Sequence, residues 1–218
     1  MEDVKGNFGG RTGEWIKDKK STRSEMRRLT AVYILQVLLS EAPALFFNSS
    51  TKHQTIEDLW YATKDRDGKI REKAAKAIGT FLMFVHQRGQ DEGVVPGSGK
   101  KYSYFDELLN RTEGTFFKEN DSDSVHGSML VVQELLKHPA KLDEREGESK
   151  KGEDMVKVLR LKMNGKFTEI SKFILKMKTS QSNYIQAAVV GLIPVLATFD
   201  QSIEAHTFHG HSPFVKTR

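Results

Sequence analysis

The fold is decided by two stretches of sequence that match each other: RRLTAVYILQVLL at Arg27–Leu39 and SVHGSMLVVQELL at Ser124–Leu136. Apolar residues recur at intervals of three and four along both stretches, which is the spacing of one face of an α-helix. Both place a small residue, Ala31 or Ser128, at the same internal position. Both end in a glutamine, one variable residue and then a pair of leucines. Small residues inside a helix let a neighbouring helix approach closely. We therefore interpret the two stretches as equivalent helices of a repeat.

Two further segments extend this pattern. Asp67–Gly79 has the order Asp-x-x-Ile-Arg-x-x-Ala-Ala-x-x-Ile-Gly, which resembles the HEAT-repeat signature, and the last periodic segment places Ala187 and Ala188 between Ile185 and Leu192. The separation of successive small-residue positions is close to the roughly 40 to 47 residues of HEAT units once two inserted loops are allowed for. The sequence thus predicts an all-α fold, an α-solenoid of about four antiparallel HEAT-type helix pairs in an armadillo-like superhelix.

Turn and breaker residues suggest how the chain is divided. Four glycines and Pro96 predict one flexible loop, and Pro139 followed by a stretch rich in Glu, Lys and Gly predicts a second, solvated insertion. No alternating strand pattern is found. The predicted organisation is a flexible N-terminus at 1–13, a HEAT array at 14–200 with flexible loops at about 89–101 and 139–165, and a C-terminal tail or the start of a truncated next repeat at 201–218.

Composition narrows the class of protein. The 218 residues carry a net charge of +5, and 38% of them are hydrophobic, enough for a packed core. The absence of cysteine excludes a disulfide scaffold, a thiol nucleophile and thiolate zinc sites, and it favours a reducing compartment. The longest nearly apolar run, 187–199, is too short to span a bilayer. We expect a soluble cytoplasmic protein with no membrane span, which nuclear or endomembrane partners could recruit.

The sequence offers no convincing catalytic, cofactor-binding or metal site. The cluster Gly97–Lys100 is not followed by Ser or Thr and a helix start, so it is interpreted as a loop and not as a phosphate-binding motif. His206, His209 and His211 could offer imidazoles to a metal, but they lack a carboxylate at fixed spacing. We therefore predict no catalytic residue, no cofactor and no metal.

Three other polar residues have structural explanations that outweigh the chemical ones. His126 begins a helix of core-like residues, so it is expected to pack or cap and not to catalyse. Asp65 and Asp67 could be posed as an acid–base pair, but they lie at a turn between helices. Capping of backbone N–H groups is the commoner role for aspartate at such a turn.

Charge is unevenly distributed in the last third of the chain. Lys150–Lys178 holds nine Lys and Arg residues and three Asp and Glu residues. This segment could meet an acidic partner, or it could be an ordinary solvated helix flank. We favour the second interpretation, and we do not expect nucleic acid, because Phe167 and Phe173 fall on the apolar stripe and are not interleaved with the basic residues for base stacking.

Several motifs, read in order, resemble the N-terminal HEAT region of target-of-rapamycin (TOR) serine/threonine kinases, members of the PI3K-related kinase family. The helix His126–Leu130, leading to Gln-Glu-Leu, is similar to the family's His-Gly-Ala/Ser-Leu-Leu helix, and Phe167–Phe199 resembles the family's final pair in this region. The resemblance covers about residues 14–200 and includes a long variable insertion at 139–166. Its other elements are Glu14-Trp15, Arg27–Phe47, Asp67 with Ile70-Arg71-Glu72, and Tyr102 with Phe105-Asp106-Glu107.

The resemblance implies a piece of a very large kinase that controls growth in response to nutrients. In that family the solenoid docks accessory subunits such as the raptor-type adaptor, and it also contacts other TOR-complex subunits and the remainder of the kinase chain. The sequence has no rapamycin-binding bundle, FAT region or kinase motif, so we expect a non-catalytic scaffold, present here as an excised fragment or a truncated gene product. The alternative is a stand-alone HEAT adaptor or a nucleic-acid-binding solenoid.

Overall fold

The computed structural model describes residues 13–17, 22–46, 49–89, 91–94, 101–118, 121–146 and 150–208. A short helical segment, α1, covers 13–17, and two 3₁₀ turns cover Pro43–Phe46 and Met177–Thr179. The long helices are α2 (Thr22–Glu41), α3 (Ser49–Ala62), α4 (Gly68–Gln87), α5 (Tyr104–Lys118), α6 (Ser122–Glu146), α7 (Lys150–Lys176) and α8 (Asn183–Phe208).

Side chains of the predicted type begin the central helices. The Asp67 carboxylate accepts a hydrogen bond from the backbone N–H of Lys69 at 2.8 Å, so it caps α4. Asp121 does the same for α6, because its carboxylate accepts from the backbone N–H groups of Asp123 and Ser124. Gly89, with φ of 62°, supplies the left-handed residue just beyond α4.

The long helices form two layers. The second helices of the pairs, α2, α4, α6 and α8, pack side by side in chain order, each against the next. The first helices lie against them, α3 on α4, α5 on α6, and α7 on both α6 and α8. The complete pairs are therefore α3/α4, α5/α6 and α7/α8, and α2 is the second helix of the pair before them. This arrangement confirms the predicted all-α solenoid, including the equivalence of α2 and α6.

The core follows the seams between second helices. Ala31, Ala75 and Ser128, the small residues at equivalent positions, are almost completely buried, which allows the second helices to pack closely. Larger apolar side chains fill the space on either side of them. The buried residues of this layer include Val32, Leu35, Leu39, Ala74, Ile78, Leu82, Met129, Val132, Leu135, Leu136, Ile185, Val189, Leu192 and Leu196.

The predicted loop at 89–101 contains a β-hairpin that the sequence did not indicate. Strands β1 (Glu92–Val94) and β2 (Lys101–Ser103) pair antiparallel, with Gly93 opposite Tyr102. Three-residue strands are too short to show an alternating pattern, which is why none was found. A Cβ at Gly93 would lie 2.5 Å from the Tyr102 ring, so a larger residue there would require the Tyr102 side chain to move. Residues 95–100 lie outside the described part of the chain.

The predicted insertion at 139–165 is also wrong for the residues that the structure describes, because 139–146 and 150–165 are helical. Helix α6 continues through Pro139, although proline removes one backbone hydrogen bond there. Leu142, one turn further on, is fully buried and holds the continuation against the core. In α7, Val156, Leu159 and Met163 are buried at helical spacing, so this charged segment does bury one face.

Candidate functional site

Buried polar side chains tie the helix pairs together, beginning between α2 and the turn before α4. Arg28 and Asp65 are 1% and 3% exposed, and they face each other across this seam. Arg28 donates from Nε to Asp65 Oδ2 at 2.6 Å and from Nη2 to Oδ1 at 3.2 Å, and it also donates to Ser24 Oγ. The paired geometry fixes the orientation of α2 relative to the α3–α4 turn.

Arg71 continues this chain of contacts into the next pair. Its Nη1 donates to the backbone carbonyl of Asp65 and, at 2.6 Å, to Oδ1 of Asp123. Its Nε donates to Nδ1 of His126 at 2.8 Å, which requires a neutral His126 with its proton on Nε2. The Tyr184 ring on α8 lies over the guanidinium, 5.3 Å from ring centre to Cζ. One arginine thus joins α4 to α6 and α8.

Gly127 permits the approach that these contacts require. A Cβ at this position would lie 1.7 Å from the backbone oxygen of Thr63, just beyond the end of α3. No side-chain movement could relieve that overlap, because the obstacle is backbone. The sequence His126-Gly127-Ser128 therefore has three packing roles: His126 accepts from Arg71, Gly127 meets Thr63, and Ser128 is buried between second helices.

A second buried polar cluster joins α4, the hairpin and α6. His138 Nε2 lies 2.8 Å from His86 Nδ1, and His86 Nε2 lies 3.3 Å from Oδ2 of Asp91. Asp91 also accepts from Ser103 Oγ and from the backbone N–H of Phe105. Although burial opposes ionisation, the nearby His86 ring and the hydrogen bond from Ser103 Oγ hold the pKa of Asp91 below its usual range. The sequence reasoning missed this cluster, because His138 lies 52 residues from His86 in the chain.

Two buried histidines should make the free energy of unfolding depend on pH. Burial, assisted by the Arg71 charge, lowers the pKa of His126 to about 4, and burial, assisted by His86, lowers the pKa of His138 to about 3. Both titrate near pH 6.5 when unfolded, so from about pH 6.5 down to 4 the unfolded chain binds more protons than the folded one. The free energy of unfolding should fall as pH drops through this window, by up to about 1.4 kcal/mol per pH unit for each histidine.

Urea unfolding at pH 7.0, 6.0 and 5.0 measures this dependence. The variant H126Q is the matched control, because the glutamine oxygen can still accept from Arg71 but does not titrate. Its free energy of unfolding should fall less steeply between pH 6.5 and 5 than that of the unmodified chain. Equal slopes for the two proteins would show that His126 is not kept neutral by burial.

The residues considered as candidates for catalysis or for metal or phosphate binding have structural roles wherever the structure describes them. Asp67 caps α4 as predicted, Asp65 pairs with Arg28, and His126 is buried against Arg71. Gly97–Lys100, His209 and His211 lie outside the described residues, and the side chain of His206 is not described. Among the residues described, no group of three or more His, Asp or Glu side chains is placed to hold a metal ion.

The basic segment of α7 is partly neutralised by its neighbours. Lys162 pairs with Asp106 at 2.7 Å, Lys166 with Glu113 at 2.9 Å, and Arg160 lies 3.6 Å from Asp143. These ion pairs attach α7 to α5 and α6. Lys157, Lys172 and Lys176 point to solvent, with no ion pair to any residue that the structure describes. Two of these three lysines, Lys172 and Lys176, lie in the last turns of α7.

Helix α8 leaves an apolar face uncovered. Val190 is 68% exposed and Ile193 is 49% exposed, and Pro194 and Ala197 are exposed beside them. The opposite face of α8 packs on α6. No helix within the described residues is long and apolar enough to cross a bilayer.

Comparison with known proteins gives the context for this geometry. No family model matches the chain. The serine/threonine-protein kinase TOR2 of Saccharomyces cerevisiae is 27% identical over 187 residues, 85% of this chain. The kinase tor1 of Schizosaccharomyces pombe is 25% identical over 190 residues, and TOR of Arabidopsis thaliana is 20% identical over 186 residues. The chain matches a segment of TOR kinases. The resemblance carried by the sequence motifs is thereby confirmed.

The chain spans only 6 to 7% of the length of these TOR kinases. The kinase activity in their names belongs to proteins many times longer than this segment. The motif His126-Gly127-Ser128, on which the sequence resemblance partly rests, lies where three helix pairs meet.

Proposed function

We propose that this chain is a non-catalytic scaffold segment of a TOR-type serine/threonine kinase that regulates growth in response to nutrients in the cytoplasm. In this role it docks a raptor-type adaptor and other TOR-complex subunits and holds them to the remainder of the kinase chain. The observation that carries the proposal is the match of 85 to 87% of the chain to TOR kinases of two yeasts and a plant. A solenoid suits this role, because each pair contacts only its neighbours and leaves long faces free.

The uncovered face of α8 supports the same proposal. Repeats that end a solenoid normally present a polar outer face, since an apolar one would be exposed to water. Val190 and Ile193 instead present apolar side chains on the side away from α6. A further helix pair stacked on this face would bury them, as expected inside a longer array.

The rival function, a nucleic-acid-binding solenoid, has less support. Three of the cations that would contact phosphate, Arg160, Lys162 and Lys166, lie beside carboxylates of neighbouring helices. Breaking those pairs would reduce the electrostatic gain on which binding to nucleic acid depends.

The native size of the protein tests the proposal. An antibody against α4–α8 should precipitate from the source cells a polypeptide more than ten times the length of these 218 residues, since the match spans 6 to 7% of the TOR kinases. Peptide mass mapping of that band should find kinase-domain peptides in the same chain. A band near 24.7 kDa without kinase peptides would support the stand-alone adaptor instead.

A further inference from the structure

A groove opens where the pairs α5/α6 and α7/α8 meet, at the C-terminal ends of α5 and α7 and the N-terminal ends of α6 and α8. Its volume is about 680 Å³, within the range of roughly 300 to 1,000 Å³ typical of ligand pockets. The floor is apolar and is made by Phe116, Val125, Phe173 and Ile185. None of these residues belongs to the polar clusters that join the helix pairs, so the groove is a separate feature of the surface.

The side chains that form the floor of the groove are held in place by packing. The rings of Phe116 and Phe173 stack at 4.2 Å between centres, with 12° between their planes. Phe116, Val125 and Ile185 are 5%, 6% and 3% exposed, so the core holds them in place. Because the two rings already stack on each other and Phe116 is nearly buried, the floor does not offer a free aromatic face for a nucleic-acid base. It offers a surface for an apolar side chain.

The wall of the groove is basic. Lys172 and Lys176 line it from α7, both exposed, and neither has a hydrogen-bond or ion-pair partner among the side chains that the structure describes. Lys178 follows just beyond the helix and is also exposed. Among the described residues that line the groove, only Glu169 carries a carboxylate. The wall thus has an excess of positive charge next to an apolar floor.

We propose that this groove binds an acidic peptide segment of a partner protein, with a bulky apolar residue of the peptide on the Phe116–Phe173 floor and its carboxylates facing Lys172 and Lys176. An apolar anchor and flanking carboxylates match the two halves of the groove. A second copy of this chain fits less well, because its net charge is +5 and the groove wall is positive too. The site exists whether the chain works inside a TOR kinase or alone.

Fluorescence anisotropy with the full 218-residue chain tests the site. The probe is a labelled twelve-residue peptide with one phenylalanine and one leucine among aspartates and glutamates. Two control peptides replace either the apolar pair by serines or the acidic residues by lysines. We expect the probe to bind with a micromolar Kd and each control peptide to bind at least about tenfold more weakly, since each lacks one half of the match.

Charge variants locate the site on the protein. K172E/K176E should weaken binding of the probe by about tenfold or more, whereas E169Q should strengthen it about twofold by removing the opposing carboxylate. The matched control K69E/K157E makes the same change of net charge on exposed lysines outside the groove, and it should leave binding within about twofold. All of these positions are exposed, so thermal unfolding should confirm that each variant is folded.

Three results would overturn the proposal. The probe could fail to bind at 1 mM chain, or K69E/K157E could weaken binding as much as K172E/K176E does, which would show only general attraction between charges. The third is that a labelled oligothymidylate binds more tightly than the probe and loses this binding in K172E/K176E. That result would assign the lysines to nucleic acid and not to an acidic peptide.

Discussion

Replacing Gly127 by alanine should destabilise the chain by about 3 kcal/mol or more, because the new Cβ would lie 1.7 Å from the backbone oxygen of Thr63. Overlap with backbone cannot be relieved by a side-chain rotation, so α6 has to move away from the end of α3. That movement would also lengthen the bond from Arg71 to His126. Thermal and urea unfolding of G127A measure the loss.

The chain contains a control for this prediction. Gly165 also lies inside a helix, α7, but a Cβ there would meet nothing within 4 Å. G165A should therefore stabilise the chain by about 0.5 to 1 kcal/mol through the higher helix propensity of alanine. If G127A were as stable as G165A, the close approach of α6 to Thr63 would not exist in solution.

Replacing Asp65 by alanine should cost about 3 to 5 kcal/mol, because it leaves the Arg28 guanidinium, 1% exposed, without the carboxylate that faces it. Asp65 also accepts from the backbone N–H of Asp67, so the turn before α4 loses a contact as well. The free energy of unfolding of D65A measures this cost.

Removal of both partners separates the charge from the packing. In R28M/D65A the buried positive charge is gone, so the double variant should be more stable than D65A by at least about 1 kcal/mol. A double variant as unstable as the sum of the two single variants would mean that the Arg28–Asp65 pair does not act as a coupled unit.

The repeat could be predicted from the sequence, because it depends on the spacing of apolar and small residues within each helix. Ala31 and Ser128 lie at matching positions of similar helices, and the structure buries both between adjacent second helices. The cap at Asp67 was also predictable, since the side chain bonds a backbone group only two residues away. Such features depend on near neighbours in the chain, and those are visible in a single sequence.

The contacts between pairs could not be predicted in this way. Arg28 meets Asp65 and Arg71 meets His126 across 37 and 55 residues, and neither arginine differs in sequence from one on a solvated helix face. The missed part of α7 has a different cause. Val156, Leu159 and Met163 do show helical spacing, but the dense charges around them suggested a solvated insertion.

Docking of the adaptor tests the scaffold role, and it requires the full-length TOR-type kinase chain to which this segment is proposed to belong. Two variants change exposed apolar pairs on opposite layers: Y33D/V37D on α2 and L161D/L175D on α7. The measurement is the amount of raptor-type adaptor that co-purifies with each kinase, with kinase yield and thermal unfolding as controls for folding. We expect at least one variant to retain the kinase but to lose about tenfold or more of the adaptor. Full recovery of the adaptor by both folded variants would contradict the scaffold role.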